Sequence, residues 1–209
     1  MVDEFAALRA EYTAAGLSED EAGADPIALF RDWFDQARVL PEPNAMVLAT
    51  TGDDDQPSAR MVLLKGLDER GFSFFTNLDS AKGEDLAANP RCALLFPWHP
   101  LQRQVRVTGR AELLERDEVA AYFATRPRGA QLGAWASPQS RVTTSAGLDE
   151  RFAEADARMP DAVEVPPHWG GYVVVPDAIE FWQGRGNRMH DRIRFRRATP
   201  GWERERLAP

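Results

Sequence analysis

The sequence predicts a mainly β protein, with antiparallel strands in a barrel and helices at its periphery. From Asn44 onwards, short apolar stretches are separated by turns rich in Asp, Gly and Pro, which is typical of strands joined in hairpins. Because these strands cluster instead of alternating regularly with helices, they favour an antiparallel barrel over a doubly wound parallel sheet. With 209 residues, 44% of them hydrophobic, the chain is long enough for one domain with its own core. A small barrel has little room inside, so we expect a ligand outside it or between two barrels.

The N-terminal part of the chain is predicted to be helical. Asp25 can cap a helix over residues 26–37, which begins with a proline and has apolar residues at helical spacing. A weaker helical pattern covers Glu4–Ala15, where we expect mobility at the start. No repeat and no long linker separates domains. We therefore divide the chain into an N-terminal segment, residues 1–24, and a single domain, residues 25–209.

The remaining elements are predicted from apolar runs, turn residues and capping residues. The predicted strands are Ala45–Thr51, Arg60–Leu67, Phe72–Thr76, Arg91–Pro97, Gln102–Glu115, Gly171–Val175, Ala178–Gln183, Asp191–Arg197 and Trp202–Leu207. One predicted helix follows a cap at Ser80 and ends at Asn89-Pro90. A second follows a cap at Asp117 and reaches Thr125, and a third covers Ser145–Met159.

Charge and cysteine content exclude several classes of protein. A net charge of −8 argues against general nucleic-acid binding, although the tail from Arg185 to Arg206 holds eight arginines against three acids. That tail is either a solvated strand face or a pocket for an anionic small molecule. A lone cysteine, Cys92, excludes an internal disulfide, and an acidic start without a long apolar run predicts a cytoplasmic protein with no membrane partner. The three histidines show no metal-ligand spacing, so we expect no metal.

Four segments combine groups that bind anions with apolar surroundings. The chain has 23 arginines and only two lysines, Lys65 and Lys82, and both lysines fall in such segments. Arg60–Lys65 is a strand sequence with cationic ends, and its end residues point to opposite faces in a regular strand. Phe75–Lys82 runs from a strand end into a helix start, where amides, hydroxyls and a lysine suit an anion. The same patterns also occur in edge strands with charged ends and in capped helices with a solvated lysine.

The other two segments add aromatic side chains. Tyr122 and Arg126 are four residues apart, so they predict one helix face that either holds a phosphate or carries a stacked surface pair. Arg188, His190 and Arg192 alternate, which predicts one side of an extended segment near the flat ring of Trp182. His190 by itself is equally compatible with a structural role. Together the segments predict two phosphorylated ligands, one of them planar, without naming either.

The segments resemble, in the same order along the chain, the motifs of the pyridoxamine 5′-phosphate oxidases, flavin enzymes of vitamin B6 metabolism. Glu180-Phe-Trp-Gln, followed after four residues by Arg188-Met-His-Asp-Arg192, is similar to that family's signature throughout. The similarity also covers Arg60–Lys65, Phe75-Thr76, Gln104, Arg126-Pro-Arg, Gln131-Leu-Gly-Ala-Trp-Ala-Ser and Glu205-Arg-Leu-Ala-Pro209. It extends from about residue 25 to the end, and Leu8-Arg-Ala-Glu-Tyr12 is similar to the family's substrate-facing N-terminal segment.

The resemblance implies an FMN-binding split β-barrel and a homodimer with FMN at the subunit interface. It implies oxidation of pyridoxamine 5′-phosphate and pyridoxine 5′-phosphate to pyridoxal 5′-phosphate. A hydride would pass from substrate C4′ to flavin N5, with O2 as the acceptor and H2O2 as a product. Because the flavin carries the redox chemistry, the protein need only position and polarise the reactants. The preference between the amine and the alcohol substrate stays open.

The same resemblance implies site residues, position by position. The implied cofactor-binding residues are Arg60, Met61, Val62, Leu63, Leu64, Lys65, Phe75, Thr76, Lys82, Gln104, Gln139, Ser140, Trp182 and Arg192. The implied substrate-binding residues are Arg9, Tyr12, Lys65, Tyr122, Arg126, Arg188 and His190. Arg188 and His190 are also implied as catalytic. Arg188 would orient and polarise the substrate, and His190 would orient its ring or move a proton.

Two positions depart from the family pattern. Ala81 stands where the family commonly has arginine, and Ala130 where a serine commonly helps to hold the substrate phosphate. Each loses a hydrogen bond to an anion, so we expect weaker but measurable FMN and substrate binding. Two other functions stay open. One is a related split-barrel flavin or deazaflavin oxidoreductase acting on another substrate, such as a phenazine precursor. The other is a non-catalytic protein that binds flavin, pyridoxal phosphate or nucleic acid.

Overall fold

The computed structural model describes residues 11, 12, 14 and 16–209. The predicted helix over Glu4–Ala15 lies largely outside the described residues, and so does Arg9. The helices are α1 (Glu19–Ala22), α2 (Pro26–Ala37), α3 (Ala81–Ala88), α4 (Arg116–Ala124), α5 (Arg128–Ala136) and α6 (Ser145–Arg158). The strands are β1 (Ala45–Thr51), β2 (Pro57–Leu63), β3 (Gly66–Leu67), β4 (Phe72–Asn77), β5 (Arg91–Phe96), β6 (Arg103–Leu113), β7 (Trp169–Gln183), β8 (Asp191–Arg197) and β9 (Trp202–Arg206).

The strands belong to one sheet. Over the described residues it has nine strands in the order β2-β1-β5-β6-β7-β4-β3, with β8 paired to β7 and β9 paired to β8. The pairs β3–β4, β4–β7, β7–β8 and β8–β9 are all antiparallel. The predicted fold class, mainly antiparallel β with peripheral helices, is therefore confirmed.

The chain divides into two compact units. The terminal unit comprises Met1–Val47, Ala93–Thr108 and Pro176–Pro209, and the central unit comprises Leu48–Cys92 and Gly109–Val175. Strands β1, β5, β6 and β7 each contribute residues to both units. Each unit has its own aromatic core.

The core of the terminal unit forms on α2. Asp25 caps this helix as predicted, because its side chain accepts a hydrogen bond from the backbone N–H two residues further on at 2.8 Å. Phe30 and Trp33 lie on its buried face. The Phe30 ring centroid lies 4.9 Å from that of Phe96, and the Trp33 ring 5.2 Å from that of Phe181. These edge-to-face contacts attach the helix to the strands of its unit.

The core of the central unit forms between α4 and the start of β7. Val119 and Phe123 of the helix are buried against Trp169 of the strand. Phe75 and Tyr122 pack against this cluster while remaining partly accessible. Part of the central core is therefore also a surface that a ligand can reach.

The predicted strand Arg60–Leu67 is wrong as one regular element. β2 ends at Leu63, and the backbone N–H of Lys65 donates to the Ser73 carbonyl at 2.8 Å. Gly66 is then registered with Ser73. The chain thus changes its partner strand between the two cationic residues, and Leu64, which lies between them, is buried. Opposite faces of one strand do not describe the relation of Arg60 to Lys65.

Two further boundaries differ from the prediction. The cap of α4 is Glu115 instead of Asp117, which lies in the first helical turn, where its charge favours the helix dipole. The two strands predicted over 171–183 are one strand, β7. Pro176 does not interrupt it, because it lies between the residues registered with β4 and those registered with β8.

Two helices were not predicted. α5 contains Gly129 and Gly133, which lower helix propensity and weaken the sequence pattern. α1 is only four residues long, and its Ser18–Glu21 capping box is the one local signal for it. α5 contributes to the cavity described next.

Candidate functional site

A cavity of about 560 Å³ lies in the central unit. Its volume is in the range of sites for small molecules. Residues of β2, β4, β7, α3, α4 and α5 line it, together with the segments that follow β2, α4 and α5. The predicted site residues that line it are Met61, Val62, Leu63, Lys65, Phe75, Thr76, Lys82, Tyr122, Arg126 and Gln139. The structure therefore brings together residues that are up to 78 positions apart in the sequence.

Lys82 is a buried cation in this cavity. Its side chain starts in the first turn of α3 and only 9% of the residue is exposed. The ammonium donates to Ser80 Oγ at 2.9 Å and to Gln139 Oε1 at 2.7 Å. Burial, and to a smaller extent the positive charge of Arg60, lowers the pKa of Lys82 to about 8. Among the described residues no carboxylate pairs with it, so a bound anion would supply the missing countercharge.

Arg60 lies beside this cation but does not line the cavity. Its guanidinium donates to Thr50 Oγ1 at 2.5 Å and to Ser58 Oγ at 2.6 Å. It also lies 3.6 Å from the carboxylate of Asp85, which accepts a hydrogen bond from the Thr50 hydroxyl. Arg60 is thus held in place by neighbouring side chains. The other predicted residues of the central unit that do not line the cavity are Leu64 and Ser140.

The second cation of the cavity, Arg126, lies against a stack of aromatic rings. The rings of Phe75 and Tyr122 lie 4.0 Å apart and within 8° of parallel, and the ring of Trp169 is parallel to both. The Arg126 guanidinium lies 4.8 Å from the Trp169 centroid and 5.5 Å from that of Phe123. Its Nη1 atom is buried and has no hydrogen-bond partner among the described residues. Burial also lowers the pKa of Arg126 from its ordinary value.

The predicted shared helix face of Tyr122 and Arg126 is wrong. α4 ends at Ala124, and the backbone N–H of Arg126 closes a turn onto the Phe123 carbonyl at 3.1 Å. The two side chains nevertheless line the same cavity, because the turn after the helix keeps Arg126 close to the aromatic stack. Tyr122 and Arg126 therefore meet in one cavity, but not through a shared helix face.

A second group of predicted residues lies in the terminal unit. The rings of Tyr12 and Trp182 make an edge-to-face contact at 5.8 Å, and those of Tyr12 and His190 one at 5.4 Å. His190 and Trp182 are 4.7 Å apart. The His190 Nδ1 atom accepts a hydrogen bond from the Arg185 backbone N–H at 3.2 Å, so in a neutral ring the proton is on Nε2. Gln104, at the start of β6, is half-buried in the same unit.

The predicted extended segment over residues 188–192 is wrong. Residues Gly186–Arg188 form a 3₁₀ turn, in which Asn187 and Arg188 have φ of +55° and +59°. Because this turn rotates the chain, Arg188 does not continue the alternation of β8, and its side chain is exposed. Arg192 does lie on β8, where its Nε donates to Glu180 at 2.9 Å. The structure therefore separates the environments of the two arginines.

Several residues of the site were not predicted. Trp169 completes the aromatic stack, and no sequence signal marked it out. Ser80 is the N-cap residue of α3, as predicted, but its hydroxyl makes no capping hydrogen bond; it accepts from Lys82 and donates to the Asn77 carbonyl at 2.6 Å. Ala130 lines the cavity, whereas Ala81 is exposed and does not. Of the two departures from the family pattern, the one at Ala130 therefore faces the cavity.

The described residues contain no cluster of His, Cys, Asp or Glu that could hold a metal ion. The same part of the chain has no helix of the length and hydropathy needed to cross a membrane.

Two family models match the chain. Residues 35–162 match the model described as pyridoxamine 5′-phosphate oxidase. Residues 169–209 match the model described as the pyridoxine 5′-phosphate oxidase C-terminal dimerisation region. A protein named pyridoxine/pyridoxamine 5′-phosphate oxidase from a Nocardioides species is 58% identical over 99% of this chain and 98% of its own.

Solved structures agree with this match. PhzG from Burkholderia lata, in complex with tetrahydrophenazine-1-carboxylic acid, has a TM-score of 0.88 and 29% identity over 96% of this chain and all of its own. A pyridoxamine 5′-phosphate oxidase-related, FMN binding protein from Nostoc punctiforme has a TM-score of 0.71 at 19% identity, which shows a shared fold. It covers 87% of this chain and 96% of its own.

The fold is therefore that of the split-barrel oxidases, as the sequence predicted. The chain belongs to the pyridoxine/pyridoxamine 5′-phosphate oxidase family, and it is an oxidoreductase.

Proposed function

We propose that this protein uses FMN to oxidise pyridoxine 5′-phosphate and pyridoxamine 5′-phosphate to pyridoxal 5′-phosphate. The observation that carries the proposal is a pair of cations, Lys82 and Arg126, in one aromatic-lined cavity without carboxylate partners among the described residues. Two phosphates, one on the cofactor and one on the substrate, match these two cations. The relative from Nocardioides, at 58% identity, carries the name of this activity.

The residues of the cavity fit a flavin phosphate. The Lys82 ammonium donates to two neutral oxygens. The Thr76 hydroxyl lines the same cavity, 3.5 Å from Gln139 Oε1. We assign the FMN phosphate to Lys82 and Arg60, with hydrogen bonds from Thr76 and Ser140. The flavin ring is assigned to Gln104, Trp182 and Arg192, with Gln139 nearby. The other residues proposed to contact FMN are Met61, Val62, Leu63, Leu64, Lys65 and Phe75.

The substrate phosphate is assigned to Lys65, Tyr122 and Arg126. The guanidinium of Arg126 has a buried donor without a partner among the described residues, and Lys65 is an exposed side chain that lines the same cavity. A phosphate placed between them would satisfy that donor and gain two charges. Such anchoring would hold the reacting carbon in place, which is the main contribution a protein makes to hydride transfer.

The pyridine ring of the substrate is assigned to Arg188 and His190. Bound FMN would supply the redox chemistry, accepting a hydride from substrate C4′ and passing electrons to O2 to give H2O2. Arg188 stays charged at neutral pH, so it can orient the substrate but not transfer a proton. The Nε2–H of His190 can donate to the ring or its substituents, because Nδ1 already accepts from Arg185. Tyr12 and, by family resemblance, Arg9 are assigned to the same end of the substrate.

We further propose a homodimer with FMN at the subunit interface. Residues 169–209, which contain β7, β8 and β9, match a model described as a dimerisation region. In the same proposal residues 25–209 form the FMN-binding domain and residues 1–24 a substrate-facing segment. The contacts of Tyr12 with Trp182 and His190 support that assignment of the segment.

An anaerobic absorbance titration tests the proposal. The FMN-loaded protein is titrated with each phosphorylated substrate, and the oxidised flavin band should disappear and return when air is admitted. Pyridoxine without its phosphate is the matched control, and it should bleach the band only at much higher concentration, because Arg126 then has no anion to bind. If neither phosphorylated compound bleaches the flavin, the proposed function is wrong.

A second candidate function is oxidation of a phenazine precursor. It is favoured by the similarity to PhzG, whose structure contains tetrahydrophenazine-1-carboxylic acid, and by Ala130, which places an apolar group at the cavity wall. The same titration discriminates between the two functions. Bleaching by a reduced phenazine carboxylate, but by neither phosphorylated substrate, would establish the second candidate.

A further inference from the structure

The chain around Leu17 is fixed to the C-terminal strands by a network of charged hydrogen bonds. Leu17 donates its backbone N–H to Asp191 Oδ2 at 2.9 Å, and its carbonyl accepts from Arg206 Nη2 at 3.0 Å. Arg206 also donates to Asp191 Oδ1 at 2.5 Å and binds Glu19 with two donors, at 2.5 and 2.9 Å. One guanidinium thus binds the start of β8 and the N-terminal segment at the same time.

This contact requires close approach of the two backbones. Gly16 has φ of +106°, and a Cβ atom there would lie 2.7 Å from Asp191 Oδ2. A Cβ atom at Gly184 would lie 3.0 Å from the ring of Tyr12. Because a glycine occupies each position, the segment can lie directly on the turn between β7 and β8.

The network joins two segments of the chain, and in each segment it lies close to a residue of the Tyr12 ring contacts. Asp191 follows His190 directly in the sequence, and Leu17 is five residues from Tyr12. Asp191 is only 4% exposed, and it also accepts a hydrogen bond from Arg185 at 3.3 Å. Fixing Leu17 to Asp191 therefore restricts how far Tyr12 can move from His190 and Trp182.

We infer that Arg206, Asp191 and Glu19 are positioning residues, which hold Tyr12 against His190 and Trp182 and thereby increase substrate affinity. This inference rests on the proposed function, because it takes those three rings as part of the substrate site. Arg206 does not contact the rings itself; it acts through Leu17 and Asp191. Hydrogen bonds from Arg206 also lower the pKa of Glu19 to about 2, so the pair stays charged at neutral pH.

The experiment uses the FMN-loaded full chain with Arg206→Gln, and with Glu19→Gln as a milder second variant. Arg194→Gln is the matched control, because Arg194 pairs with Glu205 on the adjacent ladder position and has no hydrogen bond to the described part of the N-terminal segment. Two kinds of measurement are made: amide hydrogen exchange over residues 11–23, and steady-state kinetics, which give KM and kcat for pyridoxine 5′-phosphate.

For Arg206→Gln we expect faster exchange in this segment, a KM raised about tenfold, and kcat within a factor of two, because the lost restraint acts on binding. Glu19→Gln should raise KM about threefold, Arg206→Lys should partly restore KM, and the control should change neither quantity. Unchanged exchange would overturn the inference, and so would faster exchange at unchanged KM. If the wild-type protein oxidises neither substrate, the proposed function has failed, and exchange alone then decides whether the network fixes the segment.

Discussion

The cavity of the central unit and the C-terminal strands of the terminal unit differ in how the charge of their cationic side chains is compensated. In the central cavity Lys82 and Arg126 have no carboxylate partner among the described residues, and burial lowers the pKa of both. On the strands of the terminal unit, several arginines are paired with carboxylates. Arg106 and Arg192 share the buried carboxylate of Glu180, at 2.8 and 2.9 Å.

This difference distinguishes cations whose charge is compensated by carboxylates of the protein from cations whose charge a bound anion would compensate. A buried charge without an ionic partner costs free energy, and a bound anion would offset that cost. The paired arginines of the C-terminal tail need no such anion. They are four of the eight arginines that had suggested an anion pocket there, namely Arg185, Arg192, Arg194 and Arg206. This contrast is the basis of the four predictions that follow.

The largest expected effect is that of removing the unpaired guanidinium. Arg126→Met should raise KM for pyridoxine 5′-phosphate about 100-fold, because a bidentate contact with a phosphate contributes about 3 kcal/mol. Arg194→Met, which removes a paired arginine of the terminal unit, should leave KM within a factor of two. Steady-state kinetics on both variants check this. Equal KM values for the two variants would remove the distinction between the units.

The next effect comes from exchanging each lysine for arginine. Lys82→Arg should weaken FMN binding about thirtyfold, because the larger, planar group cannot replace an ammonium held by Ser80 and Gln139. Lys65→Arg should chiefly raise the substrate KM. Each variant is the control for the other in FMN titrations and kinetics. If both behave like the wild type, the rarity of lysine in this chain carries no functional meaning.

The sequence predicted the fold class and much of the site, because motifs report residue types that a function needs. It placed both lysines in anion-binding segments, and both line one cavity. Local pattern also located β1, β8 and α6 to within a residue. β1 is a short apolar run, β8 alternates apolar with charged residues, and α6 begins after a capping residue, Thr144.

Sequence pattern failed where contacts between distant residues decide the geometry. Trp169 joins the stack with Phe75 and Tyr122 because β7 pairs with β4. The spacing of these residues in the sequence does not indicate that their rings are in contact. The turn at Arg188 depends on two residues with positive φ that are not glycine. The distinction between paired and unpaired arginines likewise requires knowing which carboxylates lie nearby.

A third prediction concerns pH. Because the pKa of Lys82 in the folded protein is about 8, FMN affinity should fall about tenfold between pH 7 and 9, as the ammonium loses its proton. The free energy of unfolding of the ligand-free protein should change with pH in the opposite direction. The unfolded chain binds this proton up to about pH 10.5, so Lys82 contributes a stability that rises with pH between about 8 and 10.5 in the ligand-free protein.

Lys82→Met is the control for both responses. In this variant FMN affinity should be weak at every pH, and the Lys82 contribution to the pH dependence of unfolding should be absent. FMN titrations and chemical denaturation over this pH range measure the two quantities. An FMN affinity that stays constant from pH 7 to 9 in the wild type would contradict the assignment of Lys82 to the phosphate.

The smallest expected effect tests whether the central cavity can accept one more donor. Ala130 lines the cavity, so Ala130→Ser should add a hydroxyl beside the substrate phosphate and lower KM about fivefold, which corresponds to about 1 kcal/mol. Ala81→Ser is the matched control, because Ala81 is exposed and lies outside the cavity lining. It should leave KM unchanged. A higher KM in Ala130→Ser would mean that the cavity at this position is filled by an apolar part of the substrate, as the phenazine alternative requires. A lower KM would show that the anion contacts of Arg126 extend to α5, and that the central unit binds the substrate through its phosphate.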